Sequence, residues 1–242
     1  MLKIKNVELH GWEPGIRGMR NPKNSWKKSD SEFVTTDGDH HDICGNCGPW
    51  YGSYGWEEAV IGENDLNLMT TLRDAGTDHR KFMRMIVVYM DVTAPLYWWK
   101  EYDTYKVGTV TNSCSTMHKI AEKEFTFDDF SHEKLINSVR MEIQEQHIRI
   151  SPIQALATTI ECLNSYRDLY LQSKDKKYWW QMIQLLPSSY NQRRTIMLNY
   201  EVLANIYKSR RNHKLDEWHT FCDLIESLPY SELITGREEK ND

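Results

Sequence analysis

Residues 2–9 set Leu, Ile, Val and Leu among Lys, Asn and Glu, the period-two pattern of a strand with one buried face. Between Gly11 and Gly55 the period vanishes into Gly, Pro, Asp, Ser and Trp, which predicts a loop-rich Trp/Gly insertion at about residues 11–60. An irregular stretch of that length is more often functional or partner-covered than idle. Residues 65–75 restore a helical period, with Leu66, Met69 and Leu72 on one face and Gly76 placed to end it. Residues 82–92 (FMRMIVVYMDV) predict a buried strand. Pro95 does not suit a central ladder, so a helix or turn carrying Tyr97 to Tyr102 begins there. Residues 107–115 are small and polar, a loop or short strand returning to the sheet, and Phe127-Asp-Asp-Phe-Ser is a turn.

Beyond that turn the pattern becomes helical, with helices predicted at 131–148, 152–174, 176–186, 190–211 and 215–227 and a break near Ser151-Pro152. The expected fold is one α+β domain over 1–242, a small antiparallel sheet in the N-terminal half packed by a helical C-terminal half. At 242 residues the chain is long enough for a substantial core. A net charge of −5 gives no general electrostatic footprint for nucleic acid. No apolar run approaches the roughly 18 residues of a membrane span, and the start, MLKIKNVELHGW, lacks the apolar centre of a signal peptide. Five dispersed cysteines suit reduced thiols in a cytoplasm.

The polar positions that break the apolar pattern are the candidates for chemistry. On the helix predicted over 190–211, the stripe Val202, Leu203 and Ile206 also holds Asn199 and Arg210, which share one face at about 100° per residue. Polar groups on a buried face need partners, so either a ligand or a core carboxylate for Arg210 is implied. Asp103 to Lys106 followed by Thr111 to Ser115 is dense in donors, suited to a phosphate cradle or to a plain solvated turn. Cys44 and Cys47, with His40 and His41 upstream, have zinc-knuckle spacing, but no second pair follows and a tight turn with free thiols is the simpler reading; no metal is assigned. Cys114 and His118 make a nucleophile only if they share a helix face. The charge runs at 122–124 and 174–177 are expected as solvated helix ends.

Two segments together resemble the flavin-dependent thymidylate synthase family. Residues 87–118 (VVYMDVTAPLYWWKEYDTYKVGTVTNSCSTMH) are similar to that family's strand ending in Ala-Pro, its Arg-Gln-Trp-x-Arg-His-Arg helix and its Ser-x-Asn-Glu-x-Ser-x-Arg-Tyr loop. Residues 185–218 resemble its Leu-Pro lead-in, its Asn-bearing helix and its Arg-ended catalytic helix. By this resemblance Asn199 and Asn205 hold flavin. Arg210 binds and activates the uridylate, and Asn112 and Ser115 belong to the nucleotide loop.

This chain also departs from the family pattern. Lys100-Glu101 stand for Arg-Gln, Thr104-Tyr105-Lys106 for Arg-His-Arg, Ser113 for the loop Glu and Met117 for the loop Arg. The upstream flavin segment is reduced to His79-Arg-Lys-Phe82. At least three expected positive charges are therefore gone, each worth roughly 1.5–3 kcal/mol against phosphate, with Lys106, Arg80 and Arg84 placed to substitute in part. The implied site is thus Arg210 as catalytic residue, Asn199, Asn205 and His79 for FAD, and Lys106, Asn112, Ser113, Ser115, Glu101 and Arg210 for the nucleotide. The implied reaction is one-carbon transfer to C5 of dUMP or a related pyrimidine nucleotide. Reduced nicotinamide and methylenetetrahydrofolate are possible co-substrates, and the family is homotetrameric. The competing expectation is an inactive derivative of the fold that binds a nucleotide, a flavin or a protein partner.

Overall fold

The computed structural model describes residues 2–35, 57–138, 141–143 and 148–236. In chain order β1 (Lys3–His10) leads to α1 (Trp12–Arg20), β2 (Glu32–Thr35), β3 (Glu57–Val60) and α2 (Glu63–Asp74). There follow β4 (Val87–Pro95), α3 (Leu96–Tyr102), β5 (Val110–Ser113) and α4 (Thr116–Lys119). Next come β6 (Met141–Ile143), β7 (Ile148–Ile150), α5 (Pro152–Ser173) and α6 (Lys176–Leu185). The last elements are β8 (Asn191–Asn199), α7 (Tyr200–Arg210), α8 (Asp216–Ser227) and α9 (Glu232–Thr235). The α+β class and the small antiparallel sheet are as the sequence led us to expect. The sheet runs β1-β4-β8-β5, so one of its strands comes from the half expected to be wholly helical. None of the described helices is long and apolar enough to cross a membrane.

The chain forms two compact units, one of Thr93–Tyr102 and Ser113–Arg193, the other of Leu2–Val92, Asp103–Asn112 and Arg194–Asp242. In the second unit, Val88, Met90 and Val92 of β4 and Ile196 and Leu198 of β8 alternate into the core. In β1 the buried positions are Ile4, Val7 and Leu9; the odd step falls at Asn6, whose φ of 50° lets one extra residue pass. Residues 12–20, expected as loop, are instead helix α1, which buries Trp12, Ile16 and Met19. Pro14, Gly15 and Gly18 mask that period in the sequence, yet Pro is well tolerated in a first turn. Trp12 meets Tyr200 and Tyr230 edge to face at 5.3 and 5.2 Å. The predicted strand over 82–92 starts late: Arg80–Arg84 is a 3-10 helix, and pairing begins at Val87.

In the first unit α5 starts with a reciprocal cap between Ser151 and Gln154, with Pro152 at the first helical position. Lys174, in the left-handed region, ends that helix, and Asp175 caps α6. Phe125, Phe130, Leu156, Ile160, Leu163 and Met182 form the core between them. Among the described residues of 131–148 there is no helix where one was predicted. Phe130 bridges Tyr190, Ser131 N–H donates to Ser189 O at 2.8 Å, and Leu135 N–H closes a further turn onto His132 O at 2.9 Å. Further on, β6 and β7 pair antiparallel with Met141 opposite Ile150. β-branched Ile143, Ile148 and Ile150 favour that state over a helix. The helix predicted over 190–211 is part strand: β8 occupies Asn191–Asn199 and α7 Tyr200–Arg210.

Candidate functional site

Strand β8 passes into helix α7 at Asn199, and the side chain of that residue makes the boundary. Its backbone is extended (φ −120°, ψ 169°), and its Oδ1 accepts the Val202 N–H at 3.0 Å. Asn199 is buried, so part of what the sequence assigned to a ligand is a helix cap. Its other end faces Gly108. A Cβ built there would lie 3.0 Å from both Asn199 Nδ2 and Val202 Cγ2, and Gly108 has φ +77°. The 103–109 segment can therefore lie against α7 only because this position is glycine.

At the far end of α7, Arg210 Nε donates to Tyr105 Oη at 2.9 Å. The guanidinium carbon lies 4.7 Å from the centroid of the Trp218 ring and 5.6 Å from that of Tyr105. Trp218 is fully buried and itself braced edge-on by Phe221 at 5.9 Å. The sequence placed Arg210 on the right helix but did not find Tyr105 or Trp218 as its partners. The available signals were Tyr105 at the family's His position and Trp218 closing the second resembling segment.

A third cluster lies along the same helix. Buried Glu201 accepts from Arg80 Nε at 3.0 Å and from Arg84 Nε, while Arg80 Nη2 reaches Asn205 Oδ1 at 3.4 Å. Burial pushes the Glu201 carboxyl up, but the two guanidiniums outweigh it and hold the carboxyl below its usual range. His79 is exposed and immediately precedes the 3-10 helix that carries both arginines. Thus Asn205 and the segment opened by His79 are tied together, and two of the cations expected to replace lost family arginines already share a carboxylate. Lys106 and Asn112 are exposed in this same unit.

Glu101, Ser113 and Ser115 belong to the other unit. There Ser115 caps the short α4, its Oγ accepting the His118 N–H at 3.4 Å. Gln192 Nε2 braces the loop by donating to Cys114 O at 3.1 Å and Thr116 Oγ1 at 3.0 Å. A cleft of about 430 Å³ opens beside it, lined among others by Cys114, Ser115, Lys119, Lys123, Asp129 and Tyr190. Lys119 pairs with Glu122 and Lys123 with Asp129. Burial pushes the Tyr190 phenol up, helped by Asp129 and Cys114. Ser113 and Ser115 are exposed. Among the described residues no hydrogen bond joins Cys114 to His118, and no group of three His, Cys, Asp or Glu is placed to hold a metal. His40, His41, Cys44 and Cys47 lie outside the described residues.

This architecture is that of the flavin-dependent thymidylate synthases. The crystal structure of Thymidylate Synthase X (ThyX) from Helicobacter pylori with FAD and dUMP matches with a TM-score of 0.62 at 13% identity, over 97% of this chain and 98% of that one. A UMP/dUMP methylase, PolB from Streptomyces cacaoi, bound with 5-Br dUMP, matches with a TM-score of 0.54 at 12% identity, over 94% and 89% of the two chains. At such identities the likeness establishes the fold. No protein-family profile and no curated protein sequence matches the chain.

Proposed function

We propose that this chain is a divergent flavin-dependent thymidylate synthase-like protein that binds a pyrimidine nucleotide beside a flavin and transfers a one-carbon unit to C5 of dUMP or a related nucleotide. The observation that carries the reading is Arg210. A sequence resemblance selected it as the activating residue, and its guanidinium is held by a phenol and an indole at the end of the helix capped by Asn199. In this reading Arg210 polarises the pyrimidine ring and steadies the charge that develops on it. Asn205 and His79, both exposed, offer hydrogen bonds to FAD, and Arg80 and Arg84 stand next to them with charge suited to its diphosphate. Lys106 and Asn112 in one unit, and Glu101, Ser113 and Ser115 in the other, are each read as nucleotide contacts. FAD, when bound, supplies the hydride chemistry, while the protein binds, orients and excludes water. A cytoplasmic homotetramer using reduced nicotinamide and methylenetetrahydrofolate completes the proposal.

The test is an absorbance spectrum from 300 to 550 nm of protein purified from cells, repeated after adding FAD and then dUMP. Flavin bands that shift on adding dUMP are expected and would justify assaying C5 transfer. Protein that stays colourless and ignores both ligands would instead favour the inactive derivative, a reading to which the pairing of Arg80 and Arg84 with Glu201 lends weight.

A further inference from the structure

Arg210 is anchored within the second unit by Tyr105 and Trp218. Tyr105 Oη takes its Nε–H at 2.9 Å, the Trp218 indole lies under the guanidinium at 4.7 Å, and the Tyr105 ring flanks it at 5.6 Å. Neither ring is loose. Trp218 is fully buried, and the two rings meet edge to face at 6.1 Å. The segment carrying Tyr105 is fixed in turn, by Thr109 Oγ1 donating to Tyr105 O at 2.5 Å and by Arg194 donating to Asp103 at 2.7 Å. Gly108 seats the same segment against Asn199 and Val202, at the opposite end of α7 from Arg210.

An arginine at a helix end ordinarily samples many rotamers, and ordering it when a ligand arrives costs affinity. Here that freedom is removed beforehand. With Nε donating to Tyr105 Oη and the Trp218 ring 4.7 Å from its carbon, the guanidinium is held in a set place at the end of α7 before any ligand arrives. We infer that Tyr105 and Trp218 are positioning residues that set the guanidinium plane of Arg210 for a planar, carbonyl-bearing ring. Tyr105 contributes through its hydroxyl and Trp218 through its π face. The inference rests on the nucleotide reading above for the identity of that ring, and on geometry alone for the positioning. It also gives the departure at Tyr105 a purpose: a residue that differs from the family pattern holds one that does not.

The test uses the full chain, as parent and as Tyr105→Phe, Arg210→Lys and the double variant, with thermal melts run in parallel. First, the Arg210 Nε–H signal, identified by its loss in Arg210→Lys, is followed by hydrogen-exchange NMR. Its exchange in the parent is expected to be about tenfold slower than that of an exposed arginine, and this protection is expected to vanish in Tyr105→Phe. Second, dUMP is titrated by calorimetry. Tyr105→Phe is expected to raise the Kd about tenfold in the parent, and less than about twofold once Arg210 is already Lys, because the hydroxyl acts through the guanidinium. A merely structural tyrosine would shift the melt and leave the two effects additive. Additive effects, or an Nε–H that exchanges equally in parent and Tyr105→Phe, overturn the inference. A parent that shows the protected Nε–H but binds no dUMP removes the nucleotide reading and leaves the positioning of Arg210 intact.

Discussion

Replacing Asn199 by Ala and, separately, by Asp resolves two roles that its carboxamide combines. As a cap, Oδ1 holds the Val202 N–H at 3.0 Å in a buried setting. Loss of such a cap costs about 1 kcal/mol, which in a chain of this size lowers the melting temperature by about 2–4 °C. Asp keeps the acceptor, and its charge suits a helix N-terminus, so Asn199→Asp is expected to stay within about 0.5 kcal/mol of the parent. As a flavin ligand, by contrast, Asn199 has to use Nδ2, which both variants lack. One missing neutral hydrogen bond of about 1 kcal/mol weakens FAD roughly fivefold, and Asp adds repulsion toward a diphosphate. Urea denaturation reads the first role, and an FAD titration by flavin fluorescence reads the second. An alanine variant as stable as the parent would refute the cap as an energetic contributor. Unchanged FAD affinity in both variants would remove Asn199 from the cofactor and leave it a structural residue.

Two further perturbations probe the frame around the site. The fully buried Asp65 carboxylate receives Arg20 Nε at 2.6 Å and the hydroxyls of Ser29 and Ser31 at 2.7 Å each. Burial pushes its pKa up, yet these donors and the Asp30 N–H hold it below the usual value of 3.8, so its stabilisation is complete well above that pH and is lost as the pH falls through the lower folded value. Asp65→Ala should cost about 3–5 kcal/mol in urea denaturation, because Arg20 is left buried without its counter-ion; a loss below about 1 kcal/mol would show that the pair is not what holds these segments. Gly108→Ala combines a positive φ, costing about 1–2 kcal/mol, with 3.0 Å contacts to Asn199 and Val202, so a clearly lower melting temperature and weaker dUMP binding are expected. An unaltered melt would show that the segment does not rest on α7 in solution.

The helix read from the sequence contains all of α7 but starts too early, over residues that form β8. The apolar stripe Val202, Leu203 and Ile206 is genuine helix, but Ile196 and Leu198 fit either period and were absorbed into it. The discriminating sign was local: Asn199 stands three residues before Val202, a capping arrangement that marks a boundary rather than a mid-helix position. In α1 the period was present at Trp12, Ile16 and Met19, but Pro14 and the glycines argued against it until burial decided the matter. The 131–148 region failed for a different reason. Its exit hydrogen bonds run to Ser189 and Tyr190, nearly sixty residues away, and no window of local sequence contains them. Arg210 illustrates the same limit at the site: the residue was legible, whereas its partner Tyr105 is 105 positions distant.

The shared carboxylate of Glu201 decides which of the two replacement arginines can serve a phosphate. Glu201 is buried, and stripping a buried carboxylate of its partners costs several kcal/mol, so at least one guanidinium must stay with it. Arg80 has a side chain 21% exposed and also holds Asn205; Arg84 is 44% exposed, and beyond Glu201 it reaches the Thr77 carbonyl at 3.3 Å and feels the charge of Asp78. Arg84 is the more solvated of the two partners, and a phosphate offers it a charge-assisted hydrogen bond worth roughly 1.5–3 kcal/mol in exchange for its share of Glu201. A diphosphate can therefore draw Arg84 outward while Arg80 keeps Glu201 satisfied. Arg84→Ala should then weaken FAD about tenfold or more with little change in melting temperature. Arg80→Ala should lower the melting temperature and loosen Asn205. The reverse pattern, with FAD affinity following Arg80 and stability following Arg84, would refute this division of labour.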